Sequence, residues 1–282
     1  SGTGTLRNEL LSVRQLLRHY EQLGVVDERV VESIDLPNVS KADQTSETIL
    51  ETSAAKALLR TYRDGAAEYP RGHAFLELAW YTGARMGAIR GLDLSDVELG
   101  EGYVQFRHRP EEDTPLKNAY DGERAVGISE DVVTALRDYI VEDRPSVTDS
   151  YGRKPLFTTV HGRIGLNTLR TTSYYATIPC RHGDCPHGKD IDSCEWRSQT
   201  AATKCPSSRS PHQIRAGSIT WQLNVGRDPV DVAARAATTP AVIRRYYDHP
   251  DLDAELRRWV TQFADIDICE YSVPTRRTAT LR

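Results

Sequence analysis

The chain has 282 residues, 39% apolar and 27% charged, enough for one large domain or two modest ones with real cores. No run approaches the ~20 apolar residues of a membrane span, and no signal peptide opens the chain. The formal net charge of −4 excludes a uniformly basic surface, though not a local basic groove. In chain order, Leu6, Leu10, Val13, Leu17 and Tyr20 recur at helical spacing and predict an amphipathic helix over 5–22. A shorter helical stretch follows, and then a polar run without apolar periodicity that reads as a linker at 41–51. Thr52 is a candidate cap for a helix over 53–65, and Phe75, Leu76, Leu78, Ala79 and Trp80 predict a buried helix over 72–89.

Residues 92–128 change character. Alternating runs at Tyr103–Phe106 and Arg124–Ile128 flank polar turns and predict a small antiparallel sheet. Ser129 then caps a helix carrying Val132, Val133, Leu136 and Ile140. Ser210-Pro211, Asp228-Pro229 and Thr239-Pro240 each set a capping side chain before a proline at the first helical position, and Gly226 stops the first of these three helices. A last helix is predicted over 252–263. The fold class is therefore mostly α with a small antiparallel β-sheet.

Four short pieces carry the chemistry: Thr82-Gly83-Ala84-Arg85, Lys117 in a turn-rich stretch, Pro211-His212-Gln213-Ile214-Arg215, and Tyr246-Tyr247-Asp248. Arginine forks match phosphate oxygens in two-point geometry, and a positioned basic group can protonate a leaving hydroxyl. His212 and Arg215 lie three apart at a capped helix start, so they share a face near free N–H groups that favour phosphate. Read singly, each piece has a plain alternative: a surface helix pair, a salt-bridged arginine, a solvated loop lysine.

In order and surroundings these pieces resemble the tyrosine recombinase (phage integrase) family over roughly residues 5–260. The resemblance implies an integrase-like catalytic domain at 52–264, preceded by a partial helical core-binding domain at 1–40 that clamps DNA, and followed by a tail at 265–282. With Ser as its first residue and Met86 as its only methionine, the chain is expected to begin inside a longer one. The implied activity is site-specific cutting and rejoining of double-stranded DNA through a 3′-phosphotyrosine. Arg85 and Arg215 would grip the scissile phosphate, Tyr247 would attack it, Lys117 would protonate the 5′ oxygen, and His212 would assist. No cofactor is implied for catalysis. The implied partner is double-stranded DNA, bound by a homo-tetramer on paired sites in the cytoplasm at the nucleoid, with neither membrane nor small-molecule substrate.

Tyr246 is the alternative nucleophile. Two departures from the family pattern stand out. Ala88 occupies the place of a glutamate three residues after the first arginine, and Ala236-Ala237-Thr238 falls where a histidine or lysine usually precedes the tyrosine by nine or ten. Loss of such a donor costs ~10²-fold or more unless another group, such as His249, replaces it. A DNA-binding relative with weakened catalysis is the first alternative reading, and a type IB topoisomerase-like enzyme the next.

Cys180, Cys185, Cys194 and Cys205 cluster in an insertion at about 178–208, with His182 and His187 between them and Cys269 apart. Four clustered thiols read as a structural zinc site, the alternatives being two disulfides or unlinked thiols, and a zinc-dependent hydrolase is a further reading. Only six of the 36 basic residues are lysines. Acidic balance with arginine as the main cation suits a salt-tolerant source, such as a haloarchaeon, its virus or a mobile element.

Overall fold

The computed structural model describes residues 3–38, 48–65 and 69–247, together with Leu256 and Val260. Most of the linker at 41–51, Asp248, His249, Cys269, the tail at 265–282 and the rest of the helix predicted over 252–263 lie outside the described residues. The chain divides into two compact units, Ser1–Thr48 and Ile49–Arg282.

In the first unit, α1 (Thr3–Gln22) packs on the short α2 (Glu28–Glu32), whose N-cap Asp27 accepts from the Arg29 backbone N–H. Val31 is buried, whereas Leu6, Val13, Leu16 and Tyr20 of α1 remain exposed. The helix predicted from its spacing is present, but this unit alone does not cover its apolar face.

The second unit is built around α4 (Pro70–Thr82), which packs against three helices: α6 (Glu130–Asp138), α7 (Leu166–Ala176) and α8 (Pro211–Asn224). Phe75, Leu76 and Leu78 are fully buried, in keeping with the apolar run that this helix carries. α3 (Thr52–Arg63) adds Ala55, Leu58 and Tyr62 to the same core. The helix predicted over 72–89 is two helices. Gly83 takes a left-handed conformation (φ 60°) that a side chain would strain, ends α4, and leaves Arg85 at the N-cap of α5 (Met86–Gly91).

The predicted sheet is antiparallel, with β1 (Val97–Glu98), β2 (Tyr103–Phe106) and β3 (Arg124–Gly127) in spatial order. Val104 pairs with Val126 and Phe106 with Arg124, so those four side chains share one face. A second hairpin, β4 (Thr158–Thr159) with β5 (Gly162–Arg163), precedes α7. The three capped helices are present. Ser210 and Gln213 form a capping box at α8, Asp228 caps α9 (Pro229–Ala236), and Thr239 caps α10 (Pro240–Tyr246). Ser129 holds the N-cap position of α6 without a side-chain cap hydrogen bond.

Two local features test the packing. Leu50 donates its backbone N–H to the Gln213 carbonyl, and a Cβ on Gly217 would stand 2.1 Å from the Leu50 carbonyl oxygen. Gly217→Ala must push this segment off the helix that bears His212 and Arg215. Its expected cost is about 1–3 kcal/mol, read as a lower urea midpoint. An unchanged midpoint would show that the segment is not held there.

The second concerns acid. Glu77 is buried, which alone would raise its carboxyl, but hydrogen bonds from His73 and Arg63 outweigh that and hold it below the ordinary carboxylate range. Asp149 is held low in the same way, with Arg163 and two backbone N–H groups overcoming its burial. For both groups the folded value lies below the unfolded one. Their stabilisation is therefore complete above the ordinary range and lost as pH falls through it. The thermal midpoint should drop between about pH 5 and about pH 3. A flat profile there would contradict these pairings.

Candidate active site

Several basic side chains elsewhere in this unit meet acids. Arg109 pairs with Asp96 at 2.6 Å, Arg163 with Asp93 and Asp149, and Arg63 with Glu77 at 2.6 Å. Around the C-terminal end of α9 the pattern is different: several guanidinium groups meet backbone carbonyls instead. Arg85 Nη1 donates to the Ala237 carbonyl at 2.5 Å. Arg215 Nη1 donates to the carbonyls of Ala236 at 2.6 Å and Gly83 at 2.5 Å. Arg124 Nε donates to the Arg235 carbonyl at 2.6 Å, and Asn118 Nδ2 to Ala237 at 3.0 Å. A helix C-terminus is the negative end of its dipole, so it seats cations without neutralising them.

Among the described residues no carboxylate pairs with Arg85, Arg124 or Arg215. Burial, and then the charge of Arg85, pulls Arg215 down to about 10 despite its interaction with Tyr247. Burial also lowers Arg85, with Tyr247 opposing. Arg124 falls to about 10 through burial and the charges of Arg215, Arg85 and Arg235. Unpaired like charges held this close are electrostatically costly, and an anion in their midst would relieve that cost.

The five predicted side chains come together here. Arg215 is only 3% exposed, one turn into α8, and its guanidinium lies near enough to the Tyr247 side chain for the two to interact electrostatically. Tyr247 follows buried Ile243 by one turn and packs on the cluster of Ile219, Leu223, Val232, Ala233 and Ala236, so α10 docks beneath α9 with its phenol turned to the arginines. Tyr246 has no such contact; the Arg245 guanidinium lies 5.2 Å from its ring centroid. His212 sits at the exposed rim. Partial burial, and then the charges of Arg215, Arg85 and Lys117, hold its pKa below the ordinary value, so the ring is neutral at pH 7. Lys117 is exposed in the loop joining β2 to β3, and with Arg85, Arg124, Asn118 and Ala237 it lines a cleft of about 250 Å³.

No family model matches the chain. The tyrosine recombinase XerD of Staphylococcus saprophyticus subsp. saprophyticus is 28% identical over 123 residues, 44% of this chain and 38% of that protein. The chain thus matches well under half the length of this curated relative. The fold recurs in the crystal structure of XerA recombinase, with TM-score 0.54 and 22% identity over 90% of this chain and 75% of the other. It recurs in the Tn1549 transposon integrase in complex with circular intermediate DNA, with TM-score 0.64 and 16% identity over 93% and 81%. A lambda integrase dimer bound to a core site gives TM-score 0.54 and 11% identity over 89% and 77%.

The chain has the fold of these recombinase and integrase structures. Its departures from the recombinase pattern have local explanations. Ala88 cannot orient Arg85, and the Ala237 carbonyl accepts from that arginine instead. Ala237 holds φ 48°, ψ 61° just past α9, a conformation that glycine adopts more readily, and this turns its carbonyl into the arginine cluster. Arg124 and Asn118 are the site residues that sequence reasoning missed. For Arg124 the signal was strand alternation, because it stands two residues before inward-facing Val126.

The cysteine reading needs correction. Among the described residues no three His, Cys, Asp or Glu side chains are grouped to hold a metal ion, and Cys180, Cys185, Cys194 and Cys205 are free thiols. Their segment is organised by other forces. Cys205 is buried with Ile178 and Ala202 in an apolar cluster, and His187 meets Ser207 at 3.0 Å and the Trp196 ring. Arg181 lies 4.2 Å from the Tyr175 ring centroid, which ties the insertion to α7.

Proposed function

We propose that this chain is a site-specific DNA recombinase that cuts and rejoins DNA through a 3′-phosphotyrosine on Tyr247. The observation that carries this reading is Tyr247 set against Arg215, inside an arginine cluster that no carboxylate among the described residues neutralises. Arg85 and Arg215 would bind the non-bridging oxygens and stabilise the charge gained at phosphorus. Attack by Tyr247, its phenolic proton passing to His212 or to solvent, would form the phosphoester bond as the bond to the 5′ oxygen breaks, with Lys117 delivering a proton to that oxygen. Neutral His212 would assist by hydrogen bond or proton transfer. Rejoining is the reverse, with a 5′ hydroxyl displacing the tyrosine.

The cleft is open at Lys117, and a duplex backbone can present its phosphate there. Structures of the Tn1549 and lambda integrases with DNA support this choice of partner. The first unit would serve as part of a core-binding domain that holds the duplex, and the enzyme would act as a tetramer on paired sites at the nucleoid. Phosphate contacts would make affinity fall steeply with salt.

A nicked duplex that loses its short 5′ fragment after cleavage tests the proposal, because rejoining is then blocked. Denaturing gels should show a protein–DNA adduct, with the modified peptide containing Tyr247. DNA binding without any adduct would point to a relative with weakened catalysis.

A further inference from the structure

Arg124 plays no part in the scheme above, yet its placement asks for an explanation. Strand pairing opposes it to Phe106, on the buried face that also carries Val104 and Val126. Its guanidinium lies 4.2 Å from the Phe106 ring centroid. A charge on the inward face of a strand is usually worse for stability than an apolar side chain. Here Nε reaches the Arg235 carbonyl at 2.6 Å and Nη1 the Gly122 carbonyl at 2.8 Å, while Nη2 is buried without a hydrogen-bond partner. Gly122 closes the loop that carries Lys117, and Arg235 belongs to the last turn of α9, whose end seats Arg85 and Arg215. Arg124 lines the same cleft as Arg85 and Lys117.

We propose that Arg124 is a positioning residue of the phosphate site. It fastens the lysine loop to the carbonyl end of α9 and adds a third guanidinium charge, beside Arg85 and Arg215, to the field at the bound phosphate. This rests on the reading that the cleft receives a phosphodiester. Stability alone gives no reason for the charge, because the ring beneath and the two carbonyls would be served by a neutral donor. The neighbouring charges of Arg215 and Arg85 make its burial more costly still in the absence of an anion.

The test uses inorganic phosphate as the probe, titrated against chloride at constant ionic strength, with the shift in thermal midpoint giving an apparent affinity. Wild type should bind phosphate. Arg124→Met and Arg124→Gln should bind it roughly tenfold more weakly, and Arg124→Lys should recover most of that loss. The glutamine variant keeps a hydrogen-bond donor but no charge, so it decides the matter if the methionine variant does not fold. Wild-type phosphate affinity in either neutral variant, no recovery by lysine, or no phosphate response in wild type would each overturn the inference.

The nicked-duplex assay, run beside it, separates the two ideas. An adduct in wild type with phosphate affinity unchanged in Arg124→Gln removes the role of Arg124 and leaves the recombinase reading intact. Phosphate binding that depends on Arg124, with no adduct in wild type, does the opposite.

Discussion

Tyr247→Phe is expected to yield no covalent DNA adduct at any reaction time, while binding to an intact duplex stays close to wild type. The ring of Tyr247 packs on the apolar cluster formed by α8, α9 and α10, and a phenylalanine ring preserves that packing. What disappears is one oxygen, the atom that interacts with Arg215 and in our reading attacks phosphorus. None of the described residues lining the adjacent cleft carries a hydroxyl or thiol. Tyr246→Phe is the control. Its side chain lies on a different side of the same helix end, beside Arg245, and the adduct should form at the wild-type level. An adduct surviving in Tyr247→Phe, or vanishing in Tyr246→Phe, would reverse the assignment that the geometry favours.

Much of this site was legible in the amino-acid order because its grammar is local. Ser210-Pro211 fixes where α8 begins, so His212 and Arg215 are set on one face, and Thr239-Pro240 fixes α10 in the same way. What the order conceals is long-range. Arg85 was readable as a residue after a glycine break. That its guanidinium would rest on the Ala237 carbonyl, 152 positions away, depends on tertiary packing. The helix over Leu166–Ala176 went unread because Thr171-Thr172-Ser173-Tyr174-Tyr175 favours extended structure, and contacts with α4 override that preference. The four cysteines misled for a related reason. Proximity in the chain suggested a shared ion, but burial of Cys205 in an apolar cluster and the pairing of His187 with Ser207 give these side chains other surroundings.

The second large effect concerns Arg215. Arg215→Lys should lower the rate of adduct formation by ~10²–10³-fold, with only a modest change in thermal midpoint. One Nη of Arg215 already bridges two carbonyls, on Gly83 and Ala236, which joins the break after α4 to the end of α9. A guanidinium can hold that bridge and still offer further N–H groups to Tyr247 and to a phosphate oxygen. An ammonium has three donors on one nitrogen and no planar fork, so it must give up either the bridge or the two-point grip. Burial and the nearby Arg85 already stress this charge in the free protein, and the replacement keeps the charge, so the fold itself loses little. The measurement is single-turnover cleavage of the nicked duplex beside thermal unfolding of the same samples. Rate loss with the fold intact would assign Arg215 to the phosphate, whereas parallel collapse of rate and cooperative unfolding would mark it as a structural bridge and move the search for the first phosphate ligand to Arg85.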